Sequence, residues 1–311
     1  MIVNEVIDGL PYNPEVRTVA RRRDLLLSDP PAGPVKLWQD LTPLEAVHFP
    51  QEYVHEGFAP PRGVYESDFL RVEWQKMDFR QPFYHRNCDV DEISYQIAGE
   101  RTLMTELGSV EQRPGDFSRI PVGVAHDNYG RQESHILFYV PAPVTEESAW
   151  AVKRSEPVFP PFPGWAPRTV TELVTECLGG PEHDVSAFQT DEQLLLDRKG
   201  EEAIQVLRAP DPGTTWLYRS AHVWIGSTRL APSDGSAFHR HRSADEIQYQ
   251  ISGRRTLISQ RGTLDLEPGD FVRVPLGCAF TSVCEEQSTH LTLLSGRPVP
   301  QVAPAAKTAR R

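Results

Sequence analysis

Residues 85–126, HRNCDVDEISYQIAGERTLMTELGSVEQRPGDFSRIPVGVAH, recur at residues 239–280 as HRHRSADEIQYQISGRRTLISQRGTLDLEPGDFVRVPLGCAF. The offset is constant (239 − 85 = 154), no gap is needed, and about half of the positions are identical. Each copy opens on a His-x-(Asn or His) pair, continues as DEIxYQIxGxRTL and, after a spacer, reads PGDFxRxPxGxA. Histidines and a glutamate at fixed spacing make a pattern of candidate metal ligands, and the copies lose different members of it. The first has Asn87 where the second has His241; the second has Phe280 where the first has His126.

Period-two alternation assigns the faces of these segments as strands. If Glu92 points into a barrel, so do Ser94 and Gln96, with Ile93, Tyr95 and Ile97 on the other face. The second copy sets Glu246, Gln248 and Gln250 against Ile247, Tyr249 and Ile251. A polar inward row with an apolar outward row fits a barrel around a polar site whose outer face is covered by another sheet, an arm or a second subunit. His85 and Asn87 share the inward face, which turns Cys88 outward and makes it a poor ligand.

The 311 residues suffice for two domains, as the duplication favours. A formal charge of −11 argues against a nucleic-acid or anionic-membrane surface. The basic runs at residues 21–23 and 307–311 are short and read as solvated ends. The N-terminal stretch MIVNEVIDGLPYNP has no sustained apolar run and does not read as a secretory signal. Nothing reaches the roughly 18 consecutive apolar residues needed to cross a bilayer. Cys88, Cys177, Cys278 and Cys284 lack metal-type or disulfide-framework spacing, so a reducing cytoplasm is expected.

Along the chain, residues 1–60 read as an arm, with a charged helix over 14–27 and Pro-rich connections that include Asp29-Pro30-Pro31. Short alternating segments separated by Gly and Pro follow over 61–140. Residues 141–185 read as a Pro- and aromatic-rich linker containing VFPPFPGWAP, then a short helix over 169–178 ended by Gly179-Gly180. A second β-rich segment covers 186–298, and 299–311 read as a disordered tail. Roughly six to ten strands per half and little helix define an all-β class.

The His-x-His/Asn pair, the Glu five residues on, the Gly seven beyond it and PGD-x4-P-x-G-x2-His resemble the two motifs of the cupin superfamily. The resemblance covers both halves. It implies two tandem cupin barrels (double-stranded β-helix or jelly-roll), hence a bicupin, with metal held by inward side chains of neighbouring strands. In the first barrel the implied ligands are His85, Glu92 and His126, with Asn87 as a weak ligand or a donor behind them. In the second they are His239, His241 and Glu246, where Phe280 takes the fourth place and a decayed, stabilising site is the expectation. A two-histidine, one-carboxylate set with open positions suits Fe(II) and O2.

A narrower similarity lies at FYHRNC (residues 83–88), which resembles the ligand segment of homogentisate 1,2-dioxygenases, where Asn rather than a third His is expected. Here the Glu lies one residue further on, and the PHGPD-type segment around the last His is replaced by His126-Asp127-Asn128. FHRH (residues 238–241) resembles gentisate-type dioxygenases. These similarities imply an Fe(II) dioxygenase opening the ring of a small phenolic, anionic aromatic, with substrate and O2 as its partners. Alternatives are a decarboxylase or isomerase using Mn, Ni or Zn, and a non-catalytic bicupin that binds a small molecule.

His135 and His290 begin equivalent strands and are candidate acid–base catalysts. Arg101/Arg255 and Arg119/Arg273 repeat in both halves and are expected in structural ion pairs, with Asp116 and Asp270 as partners. The apolar outward rows and the arm point to a homo-oligomer.

Overall fold

The computed structural model describes all residues except 30–41, 56–59, 142, 179–182, 198–199 and 211. The Asp29-Pro30-Pro31 connection in part, and Gly179-Gly180, therefore lie outside the described residues. The chain divides into two compact units, and neither is contiguous. One contains Gln51–Pro210 and Val299–Ala303; the other contains Met1–Pro50, Asp211–Pro298 and Pro304–Arg311. The contiguous ranges 61–140 and 186–298 expected from sequence are thus incomplete: each lacks strands supplied from elsewhere in the chain.

In the unit of the first copy, two 16-residue strands, Val90–Thr105 and His126–Pro141, run antiparallel along their whole length. Phe83–Asn87 lies beside His126–Pro141 with His85 opposite His126. Its other neighbour is parallel: Thr169–Glu176 places Leu173 opposite His85 and Thr175 opposite Asn87. The segment read as a helix over 169–178 is therefore a strand, because TVTELVTE alternates at period two and packs Val170 against Tyr84, Met104 and Ala125.

The unit of the second copy repeats this plan. Ile2–Gly9 runs parallel to Ala237–His241, with Val6 opposite His239 and Asp8 opposite His241. It forms a hairpin with Asn13–Arg22, and only Arg23–Leu26 is helical. The helix expected over 14–27 is mostly an exposed edge strand whose charges mimic a solvated helix face. The same hairpin and short helix recur as Thr169–Glu176, His183–Asp191 and Glu192–Leu196. Glu5 accepts Arg240 Nε at 2.6 Å and Glu172 accepts Arg86 Nε at 2.7 Å, so the duplication extends beyond the motifs.

The tail is ordered as well. Val302 N donates to Val64 O at 3.0 Å in one unit, and Lys307–Thr308 pairs with Glu45–His48 in the other. Backbone hydrogen bonds to a sheet edge account for order that the Pro- and Ala-rich composition hides.

The motif residues have local structural reasons. In each PGD turn the Gly has positive φ, +91° at Gly115 and +100° at Gly269, and the Asp carboxylate caps the turn. Gly99 and Gly253 adopt φ of +66° and +72°, and a Cβ there would sit 2.3 Å from Gln132 O and 2.5 Å from Gln287 O. Gly99→Ala is accordingly expected to destabilise the protein by about 2–4 kcal/mol. Denaturant titration checks this, and a loss below about 0.5 kcal/mol would contradict the reading.

Two of the three members of each outward row are buried, Ile93 and Tyr95 in one unit and Ile247 and Tyr249 in the other, with Tyr95 against Phe117 and Tyr249 against Phe271, while Ile97 and Ile251 are half-buried. No helix among the described residues is long and apolar enough to cross a membrane, and none of the four cysteines is in a disulfide.

Candidate metal centre

In the first barrel, strand pairing brings His85 opposite His126, and Glu92 comes from the next strand over. His126 Nδ1 lies 3.2 Å from Val124 O. A carbonyl only accepts, so Nδ1 carries a proton, and it is the Nε2 side, facing Glu92, at which an ion would displace a proton and take the lone pair. That Nε2 lies 3.3 Å from Glu92 Oε2. Two ligands held about 2.1 Å from one ion at right-angled to tetrahedral separation stand about 3.0–3.4 Å apart, so the pair already has ligand spacing.

Burial opposes charge on both groups, yet their mutual attraction outweighs it. Glu92 is held down at about 2, helped by His126 and Asn87, and His126 is raised. Burial, aided by the neighbouring His126, pushes His85 down to about 4, so its imidazole is neutral at neutral pH and able to ligate.

Asn87 uses both ends of its amide: Nδ2 donates to Glu92 Oε2 at 3.0 Å, and Oδ1 accepts the Cys177 thiol at 3.3 Å. It orients the carboxylate, which is the donor role, the second of the two expected for it from sequence. Cys88 is exposed, in keeping with its outward face. The three expected ligands are close but not closed. Among the described residues, the one group of three with all ligating atoms within 4.8 Å of one another is His48, Glu267 and Asp270. His85, Glu92 and His126 do not meet that spacing, although the donor set and the His126 tautomer fit a metal. His85, only half-buried, is the member with room to move.

The tighter group is an ion-pair network. Lys307 Nζ sits 2.9 Å from Glu267 Oε1 and 2.6 Å from Asp270 Oδ2, and His48 Nδ1 is 2.8 Å from Asp270 Oδ1. The ammonium supplies the positive charge a metal would bring.

The second barrel is arranged differently. His241 Nε2 is 2.6 Å from Glu246 Oε2, and Nδ1 is 2.9 Å from Asp8 Oδ1. Burial disfavours the charged ring, but two carboxylates overcome it and raise His241 to about 10. An imidazolium with both nitrogens donating has no lone pair for a metal. His239 is exposed, and Phe280 belongs to an apolar cluster with Leu257, Leu264 and Val274 while its ring lies 6.1 Å from that of His239. Where Asp8 faces His241, the first barrel has Thr175 facing Asn87.

A cavity of about 410 Å3 opens on the first-barrel set. His85, Glu92 and His126 line it together with Gln75, Gln81 and Asn128, the apolar Met77, Phe83, Leu137 and Tyr139, and His183 and Asp184 from the strand His183–Asp191. Sequence reading missed Asp8, Cys177, His183 and Asp184, which lie on or directly after strands in segments assigned to arm or linker. The equivalence of Glu5 with Glu172, which relates these segments, shows in the strand pairing and not in the sequence offset.

His135 and His290, expected as catalysts, are both buried, and neither lines this cavity. His135 Nδ1 is held 2.9 Å from Glu133 Oε2, while burial and the nearby Arg255 push His290 well down. The repeated arginines are structural, with partners other than those expected. Arg119 pairs with Asp91 and Glu147, Arg273 with Asp245, Arg101 donates to Ser94, and Arg255 donates to Gln248, Gln250 and Ser282. Asp116 and Asp270 instead cap their turns and pair with Arg208 and Lys307.

The fold is that of the cupin barrels. No family model matches the chain, and no curated protein does. Among solved structures, a cupin 2 conserved barrel domain protein from Leptotrichia buccalis matches with a TM-score of 0.50 at 9% identity, covering 84% of this chain and 98% of that one. A salicylate 1,2-dioxygenase variant from Pseudoaminobacter salicylatoxidans gives 0.48 at 14% identity, covering 78% and 79%. An oxalate decarboxylase variant from B. subtilis gives 0.46 at 12%, covering 83% and 79%. At these identities the likeness is one of fold.

Proposed function

We propose that the first barrel is a metal centre, with Fe(II) as its ion, and that the protein is a dioxygenase acting on a small phenolic aromatic. The observation that carries this is the His126 Nε2–Glu92 Oε2 pair at 3.3 Å, its tautomer fixed by Val124 O, facing a cavity lined by His85. His85, Glu92 and His126 hold the ion. When bound, it supplies open positions at which a phenolic oxygen and O2 are brought together.

The chain's own residues supply the rest. Asn87 fixes the Glu92 carboxylate and Val124 fixes the His126 ring. Phe83, whose ring lies 4.8 Å from that of His85 at a tilt of 43°, and the wall of Met77, Leu137 and Tyr139 seat the ring and exclude water. His135 is buried and does not line the cavity, so proton exchange falls to His183 at the exposed strand, paired with Glu176 at 2.8 Å.

The test is anaerobic loading with Fe(II), metal analysis after desalting, then oxygen-electrode screening against gentisate, homogentisate, catechols, hydroxynaphthoates and flavonols. Roughly one iron per chain and substrate-dependent O2 uptake is the expected result. Activity with Mn, Ni or Zn that needs no O2 would move the protein to the decarboxylase or isomerase reading. Less than about a tenth of the chains retaining metal would leave a non-catalytic, small-molecule-binding barrel.

A further inference from the structure

The walls of the first-barrel cavity have an unusual charge balance for a site that takes aromatic acids. Among the described lining residues there are two carboxylates, Glu92 and Asp184, and neither lysine nor arginine. The arginines of the surrounding strands are engaged elsewhere. Arg80 lies between Asp127 and Glu192, Arg86 between Glu106 and Glu172, and Arg101 is buried against Ser94. A divalent ion would be balanced by the two carboxylates, so with its histidines neutral even the loaded cavity offers no formal positive charge to a substrate carboxylate. Burying an unpaired anion there is strongly unfavourable.

The polar wall is made of amides. Asn128 Nδ2 donates to Gln81 Oε1 at 3.4 Å, which leaves Gln81 Nε2 and Asn128 Oδ1, both shielded from bulk water, without partners. Flipping both amides exchanges the atoms but again leaves one donor and one acceptor. Asn128 is 6% exposed and lines the cavity beside Gln81 and Gln75. An unmatched donor and acceptor on two neighbouring buried amides are satisfied when the amides turn toward a ligand that carries the complementary pair.

We infer that the substrate of this site, on the reading of it given above, is an uncharged phenol bearing a carboxamide or comparable donor–acceptor group, and not an aromatic carboxylate. The amide pair of Gln81 and Asn128 recognises that group, while the apolar wall takes the ring. The size of the cavity restricts the ligand to small, one- or two-ring molecules.

Salicylamide and salicylate are a matched pair of probes, differing in amide against carboxylate on the same phenol. Calorimetric titration of the full chain at neutral pH, both metal-free and Fe(II)-loaded under anaerobic conditions, is expected to show salicylamide binding about tenfold or more tighter than salicylate in both forms. Gln81→Met is expected to remove most of that preference, about tenfold in salicylamide affinity, with salicylate unchanged. Asn128→Leu should do the same; the half-buried Gln81 keeps the test open if the Asn128 variant does not fold.

Equal or tighter binding of salicylate, no saturable binding of salicylamide, or a Gln81→Met variant that keeps the preference would each overturn the inference. The metal reading is scored separately by iron content. A preference for salicylamide in protein that takes up no iron upholds the cavity chemistry and sinks the metal centre, whereas iron uptake with salicylate preferred does the reverse.

Discussion

Glu92→Ala is expected to lower Fe(II) affinity by about 100-fold or more and to abolish substrate-dependent O2 uptake, while Glu246→Ala leaves the iron content unchanged. Both residues occupy the same place in the repeat, and their surroundings make the difference. Glu92 faces a neutral Asn87 and a His126 with one carboxylate at Nε2 and a carbonyl at Nδ1, so loss of a single proton opens Nε2 to an ion. Glu246 faces a ring already protonated by two carboxylates. His126→Ala should match Glu92→Ala, and Asn87→Ala, which frees the carboxylate without removing a ligand, should cost about 10–100-fold. Metal analysis of desalted protein decides the matter; iron retained by Glu92→Ala and lost by Glu246→Ala would move the centre to the other barrel.

His241→Leu carries the largest expected stability effect, about 3–5 kcal/mol, because it leaves Asp8 and Glu246 as buried, uncompensated carboxylates. Asp8→Thr combined with His241→Asn recreates the Thr175/Asn87 pair of the first barrel and is expected to recover much of that loss. The pH dependence follows from the sign of the shift. The folded-state pKa of His241, about 10, lies above the ordinary 6.5, so its contribution is fully present below about pH 6.5 and is lost as pH rises through about 10. Denaturant titrations across that window should show the wild-type advantage over His241→Leu shrinking with rising pH. An advantage that is constant or grows would refute the imidazolium assignment.

Much of this was legible in the repeat. The PGD turns, the positive-φ glycines, the inward placement of Glu92 and the apolar role of Phe280 all follow from residue types at fixed spacing. The completing strands were not legible. Asn13–Arg22 is exposed along its length, so its pattern reports solvent rather than a sheet face, and the spacing between hairpin and barrel differs between the halves. The constant offset of 154 is broken there, which concealed the equivalence of Glu5 with Glu172 and left Asp8, the residue that decides the state of His241, in a segment read as an arm. The arginine partners were missed for a related reason: Asp91 and Asp245 are remote in sequence from Arg119 and Arg273 but adjacent across the sheet.

The exchange of strands also sets a timetable for synthesis. Residues 1–50 belong with a body that begins at residue 211, so 161 residues (211 − 50) must be added before their sheet partners begin to exist. At ribosomal rates of roughly 5–20 residues per second that is about 10–30 s. During this interval Ile2–Gly9 has only its own hairpin partner, and its parallel edge stands open beside a nascent body with sheet edges of its own. The charges of Glu15, Arg17, Arg21 and Arg22 along the hairpin's outer strand are suited to discourage wrong pairing during that wait.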